Sequence, residues 1–330
     1  MRITTSMMTN KYVRNLNKSA AEMNYLNEKV STGRKFFKGS EDPISAIKAY
    51  KLRREYRSTE VYDTNISDAD SFLTTAETNL TEISSNLELT YTSYLKGING
   101  TMSADDREII AKELDNLQES ILTSLNAKIS DRYVFGGTSK DEIPFTKDND
   151  GNLLYKGLNV NDSANSPKLK ALSEETINVD LGLGMKFNGD NLNKDTVFDM
   201  SMAGIKFMGY DKTADGIPNN LYSLIGEIKT QLRSANFSND NIQPYIENFE
   251  TQKKQVLVSI TDIGSKTNYL DFLKLRNEDN QFNLNKKILD VEYVNSAEAI
   301  TDFKMQEYSY NAALSMGNKI LQNSFIDFMS

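Results

Sequence analysis

The sequence predicts a mainly α-helical fold with a β-rich insertion. An antiparallel coiled-coil stalk is built from the N- and C-terminal segments, and a small outer β domain lies between them. Three observations predict it. Only 5 of 330 residues are Pro, so little interrupts long helices. Apolar residues recur at spacings of three and four near both ends, the period of a helix that buries one stripe. Between those ends, about 132–235 is rich in Gly, Asn and Asp and holds three of the five prolines.

The helical pattern starts with Val13, Leu16, Ala20, Met23 and Val30. It restarts after Asp42-Pro43, which reads as an N-cap followed by Pro at the first helical position. Tyr62, Ile66, Ala69, Leu73, Ala76, Leu80, Ile83 and Leu87 then alternate strictly by four and three. This 3.5-residue repeat is the seam of a left-handed coiled coil. An ordinary amphipathic core helix is the plainer alternative, and it too must pack against helices. Asn99-Gly100 breaks the pattern, and Ser103 is placed to cap a helix with the stripe Ile110, Leu114, Leu117, Ile121 and Leu125.

Toward the other end, Ile246, Phe249, Val256, Ile260, Ile263, Leu270, Leu284, Ile288 and Val291 share one register. The seam fades near 274–281, where a joint or a solvated stretch is expected. A last stripe comprises Tyr293, Ala297, Ile300, Phe303, Tyr310, Leu314 and Leu321. No such helix buries its stripe alone, so the two ends are expected to pack on each other. The division that follows is 1–40 with 285–330 as a terminal helical assembly region, 41–131 with 236–284 as a helical rod, and 132–235 as the β-rich outer domain.

Inside the middle region, Asp150-Gly151 between Ile143-Pro-Phe145 and Leu153-Leu-Tyr155 signals a hairpin. Arg132-Tyr-Val-Phe135, Val179-Asp-Leu181 and Met185-Lys-Phe187 are further strand candidates. A continuous helix resumes near Leu221.

Composition narrows function. The chain has no Cys, His or Trp, which removes disulfides, thiol and imidazole catalysis, and ordinary transition-metal sites. No catalytic residue, metal or cofactor is expected. Lys and Arg number 38 against 46 Asp and Glu, which disfavours general nucleic-acid binding. No stretch has the ~20 apolar residues of a membrane helix, and the first residues lack a signal-peptide core. Charge is unevenly distributed: residues 1–60 hold 13 Lys/Arg against 6 Asp/Glu.

Other motifs have plain explanations. Asp148-Asn-Asp-Gly151-Asn has its Gly in the wrong place for a calcium loop and reads as a turn. Gly182-Leu-Gly184 and Gly189 do not fit a phosphate-binding fingerprint. The adjacent carboxylates Glu41/Asp42, Asp105/Asp106 and Glu174/Glu175 cannot face each other across a cleft, so solvated surface is expected of all three. The basic run Arg53, Arg54 and Arg57 reads first as a wet helix face.

These pieces in order resemble the flagellin superfamily, and within it the hook–filament junction subunits. The resemblance rests on Met1-Arg-Ile-Thr-Thr5, Ser31-Thr-Gly-Arg-Lys35, Ser40-Glu-Asp-Pro43, Asn65-Ile-Ser-Asp-Ala-Asp-Ser-Phe-Leu73 and Asp131-Arg-Tyr-Val-Phe-Gly-Gly137. At the far end it rests on Ala297-Glu-Ala-Ile-Thr-Asp-Phe303, Tyr310-Asn-Ala-Ala-Leu314 and Ser324-Phe-Ile-Asp-Phe328. It implies a non-catalytic, extracellular subunit of the bacterial flagellum, exported by the flagellar type III system without a cleaved signal peptide. The implied partners are another hook-associated protein, flagellin, an export chaperone and further copies in a ring. Flagellin itself and a non-flagellar coiled-coil adaptor are the alternative readings.

The expected assembly interface sets Val13, Leu16, Met23 and Val30 against Ile300, Phe303, Tyr310 and Leu314, with Leu321, Phe325 and Phe328 beyond them. The final apolar residues either dock on the N-terminal helix or bind another chain. The expected rod seam is Ile66, Leu73, Leu80, Ile83 and Leu87 with Val256, Ile260 and Ile263.

Overall fold

Long helices dominate because the apolar positions keep one face and almost no Pro breaks them. The computed structural model describes residues 5–98, 102–189, 191–193, 196–234 and 237–326. The helices are α1 (Thr5–Thr32), α2 (Pro43–Gly97), α3 (Ala104–Leu125), α4 (Ser166–Ser173), α5 (Gly204–Met208), α6 (Leu221–Arg233), α7 (Asn239–Glu292) and α8 (Ser296–Ile326). The fold class is therefore the expected one, mainly helical with small antiparallel sheets.

Local chemistry sets the starts. Asp42 accepts from the Ser45 N–H at 3.0 Å, which caps α2 just ahead of Pro43. Ser103 and Asp106 form a reciprocal capping box at the start of α3, so two orphan N–H groups are satisfied together. Pro244 lies in the second turn of α7, close enough to the start that few backbone bonds are lost.

The strands are far shorter than the sequence suggests. β1 (Lys128–Ile129) pairs β2 (Arg132–Tyr133), and β3 (Phe145–Lys147), β4 (Leu153–Tyr155) and β5 (Leu158–Asn159) form a three-stranded meander. β6 (Asn178–Val179) pairs β9 (Phe198–Asp199), and β7 (Phe187–Asn188) pairs β8 (Asn191–Leu192). The β3–β4 hairpin turns at Gly151, whose φ of +83° is one that glycine adopts freely. Strands of two or three residues make 132–235 loop-rich rather than β-rich, and side-chain packing holds it. The Phe135 and Phe207 rings meet edge to face at 5.2 Å.

The chain forms two compact units, Met1–Glu60 with Glu278–Ser330, and Val61–Asn277. In the larger unit one core joins Leu73, Leu80 and Leu87 of α2, Leu114 and Ile121 of α3, Ile225 and Ile228 of α6, and Phe249 and Val256 of α7. Val134, Phe145, Tyr155 and Phe198 belong to that same core. Residues 132–235 consequently do not separate from the rod as a unit of their own. Helix α6, inside the expected outer domain, packs on α3 through Gln118, whose side chain donates to the Tyr222 carbonyl at 2.7 Å.

The smaller unit pairs α1 with α8, and Arg53 of α2 reaches Glu292 of α7. The stretch 274–281, where a joint or a solvated stretch was expected, is helical within α7, and the division into two units falls inside it, between Asn277 and Glu278. Leu273, Asn277 and Leu284 carry its buried face past that stretch.

Candidate assembly interface

In the smaller unit, α1 and α8 lie antiparallel. The Tyr12 hydroxyl donates to the Ala313 carbonyl at 3.0 Å, and the Gln306 amide donates to Ser19 Oγ at 2.9 Å. The contact positions on α8 are Ala299, Phe303, Gln306, Tyr310, Ala313 and Gly317, spaced alternately by four and three. Those on α1 follow the same rhythm through Tyr12, Leu16, Ser19, Met23, Leu26 and Val30. A Cβ on Gly317 would overlap the Tyr12 phenol, so this glycine allows the close approach.

This seam differs by one position from the expected one at three places. Val13, Ile300 and Leu314 are 44%, 48% and 40% exposed. Their places are taken by Tyr12, Ala299 and Ala313, because small and hydrogen-bonding side chains let the backbones approach. Leu16, Met23, Val30, Phe303 and Tyr310 are half-buried, on the shared face. The side chains of Leu321 and Phe325, and the whole of Phe328, fall outside the described residues.

The turns that follow α1 and α7 are tied together. Gly33, at φ +70°, ends α1 and accepts from the Val294 N–H at 2.9 Å. The Lys35 N–H in turn donates to the Glu292 carbonyl at 2.7 Å. Arg53 reaches Glu292 through two guanidinium nitrogens, a fork-to-carboxylate pairing that fixes geometry. A cavity of about 590 Å³ lies beside these turns, lined among others by Leu26, Lys35, Leu289, Tyr293 and Glu298.

Of the adjacent carboxylates expected at the solvated surface, Glu41, Asp105, Asp106 and Glu174 are exposed and Asp42 and Glu175 half-buried, and four of the six also have structural partners. Glu41 accepts from the Phe37 N–H at 3.0 Å and the Tyr25 hydroxyl at 3.1 Å. The Phe37 bond is the main cause that holds its carboxyl below the ordinary range. Asp42 and Asp106 cap helices, and Glu175 binds Lys156 at 3.1 Å and the Thr138 hydroxyl at 2.7 Å. Burial pushes the Glu175 carboxyl up, and those bonds outweigh it, leaving it lowered. Asp148 accepts from the Asp150 and Asn152 N–H groups, which makes it an Asx-type turn residue.

The rod-seam residues Ile66, Leu73, Leu80, Ile83, Leu87, Val256 and Ile263 are buried inside the larger unit, and Ile260 is half-buried. Among the described residues, no group of three or more Asp or Glu is arranged to hold a metal ion, and no helix is long and apolar enough to cross a membrane.

Residues 3–140 match the model of the bacterial flagellin N-terminal helical region. Over that stretch the chain is similar to the flagellins. Flagellar hook-associated protein 3 of Escherichia coli K12 is 28% identical over 149 residues, covering 45% of this chain and 47% of that one. Flagellin A of Vibrio anguillarum is 30% identical over 124 residues, covering 38% of this chain and 31% of that one. The chain thus spans about half the length, or less, of the curated relatives it matches. The crystal structure of Xanthomonas campestris FlgL has the same fold, with a TM-score of 0.55 at 15% identity over 72% of this chain and 99% of that one.

The sequence reading missed Tyr12, Ser19, Gln306, Ala313 and Gly317 as interface residues. Their four–three spacing is present in the sequence, but polar and small residues mark it, so a search for large apolar side chains passes over it.

Proposed function

We propose that the chain is a structural subunit of the bacterial flagellum, a hook-associated adaptor that self-associates in a ring and joins hook to filament. The observation that carries this reading is the antiparallel pairing of α1 with α8 in a chain whose residues 3–140 match the flagellin N-terminal helical region. Similarity to hook-associated protein 3 favours the junction over the filament.

The geometry suits such work. The α1–α8 seam is thin and partly polar, so each helix keeps apolar residues outside it. Val13, Ile300, Met305 and Leu314 are all at least 40% exposed. Exposed apolar side chains on paired helices are surface available to neighbouring subunits. The partners are then further copies, another hook-associated protein on one side and flagellin on the other, with an export chaperone beforehand. The subunit works outside the cell, reaching it through the flagellar export system, and catalyses no reaction.

The similarity to Flagellin A keeps a filament-forming subunit as the second reading. Adding filament seeds to the purified chain separates the two: a junction subunit stops short, and flagellin elongates. The test of the proposal is surface labelling of cells with flagellar export blocked. The protein should vanish from the cell surface, and its persistence there would overturn the proposal.

A further inference from the structure

Helix α2 changes sign along its length. Residues 43–60 carry five basic residues against Glu55 and Glu60, whereas 61–97 carry six acidic residues against Lys96. On the basic stretch, Lys48, Lys51, Arg54 and Arg57 are exposed, and none makes an ion pair among the described residues. Arg53, on the same stretch, does pair, with Glu292. On the acidic stretch, Asp68 and Glu82 are exposed and Glu77 half-exposed, again without an ion pair, whereas Glu88 binds Lys253 at 2.8 Å. The chain neutralises some charges at both places and leaves these seven open.

The basic stretch is also apolar. Ile44, Ile47 and Tyr50 are 69%, 58% and 68% exposed. A face combining open cations with large apolar side chains fits a partner that offers anions and apolar contact together. The acidic stretch of another copy has this chemistry, since Val61 beside it is 57% exposed.

We propose that the basic face of α2 in one copy, at Lys48, Lys51, Arg54 and Arg57, docks on the acidic face of α2 in a second copy, at Asp68 and Glu82. Two different patches of the same chain then meet, a head-to-tail contact that repeats from copy to copy. The apolar residues supply burial, and the charges set register and direction. A nucleic acid or an anionic membrane would use the basic face and leave the acidic one without a partner. The choice of a second copy rests on the reading of the chain as a self-associating subunit.

A charge swap on the full chain tests it. One variant carries K48E, K51E, R54E and R57E; the other carries D68K and E82K. Sedimentation velocity at low salt should find the unaltered chain associating, each variant alone at least tenfold weaker, and an equimolar mixture of the two restored. Where a multiple variant loses helical circular dichroism, the single reversals R54E and E82K make the same swap. No association of the unaltered chain, undiminished association of either variant, or a mixture that fails to recover would each overturn the proposal. Binding of the unaltered chain to anionic vesicles or DNA without self-association would also overturn it. Failure here leaves the flagellar reading standing, because surface labelling reports where the chain goes and not which faces meet.

Discussion

Tyr12 and Ala313 are 301 positions apart in sequence, yet the phenol of one donates to the carbonyl of the other at 3.0 Å. Gly317 lies one turn further along α8, and the Tyr12 ring fills the space a Cβ would need. Gly317→Val should therefore separate the α1–α8 pair at this end, at a cost of about 1–3 kcal/mol from overpacking. Tyr12→Phe keeps the ring and loses one hydrogen bond, costing about 1 kcal/mol. Hydrogen exchange of the α8 amides reads both. Faster exchange in Gly317→Val than in Tyr12→Phe is expected, and equal rates would contradict the packing described.

In the larger unit, Tyr94 packs its ring edge to face against Phe249 at 5.1 Å, while its buried hydroxyl has no hydrogen-bond partner among the described residues. Burial pushes its phenol well above the ordinary value. Removing that hydroxyl relieves a desolvated polar group, so Tyr94→Phe should leave stability equal or raised. Leu80→Ala, at a fully buried seam position, should cost about 2–5 kcal/mol. Urea denaturation compares the two, and a large loss in Tyr94→Phe would show that the hydroxyl has a partner.

Acid should weaken the larger unit through named carboxylates. For Glu175, burial raises the carboxyl, but Thr138 and Lys156 lower it further, below its ordinary value of 4.5. For Asp115, burial is likewise outweighed by Lys229 and Arg233. A carboxylate held lower when folded stabilises fully above its unfolded value, and that contribution disappears as pH falls through the folded one. Melting temperature should hold near neutrality and decline below about pH 4.5. Glu175→Gln should flatten the decline, and an unchanged slope would remove Glu175 from the account.

The α2 seam was legible because Ile66, Leu73, Leu80 and Leu87 are large, apolar and strictly spaced, and a fully buried stripe leaves little else to pattern. The α1–α8 seam was legible only in outline. Its close approach depends on Ala313 and Gly317 and on hydrogen bonds from Tyr12 and Gln306, none of which a hydropathy pattern marks. Apolarity instead pointed to Ile300 and Leu314, which the helix turns outward. The middle region was legible as small antiparallel sheets but not in its strand lengths: Phe145, Tyr155 and Phe198 sit on strands of two or three residues, and their side chains join the helical core.

The central claim is that this chain sits at the boundary between hook and filament. Immunogold labelling of flagella, from cells making the full chain with a surface epitope in the Asp150-Gly151 turn, tests it most directly. The account predicts gold confined to a narrow band where hook meets filament. Gold distributed along the filament, or retained inside the cell, would contradict it.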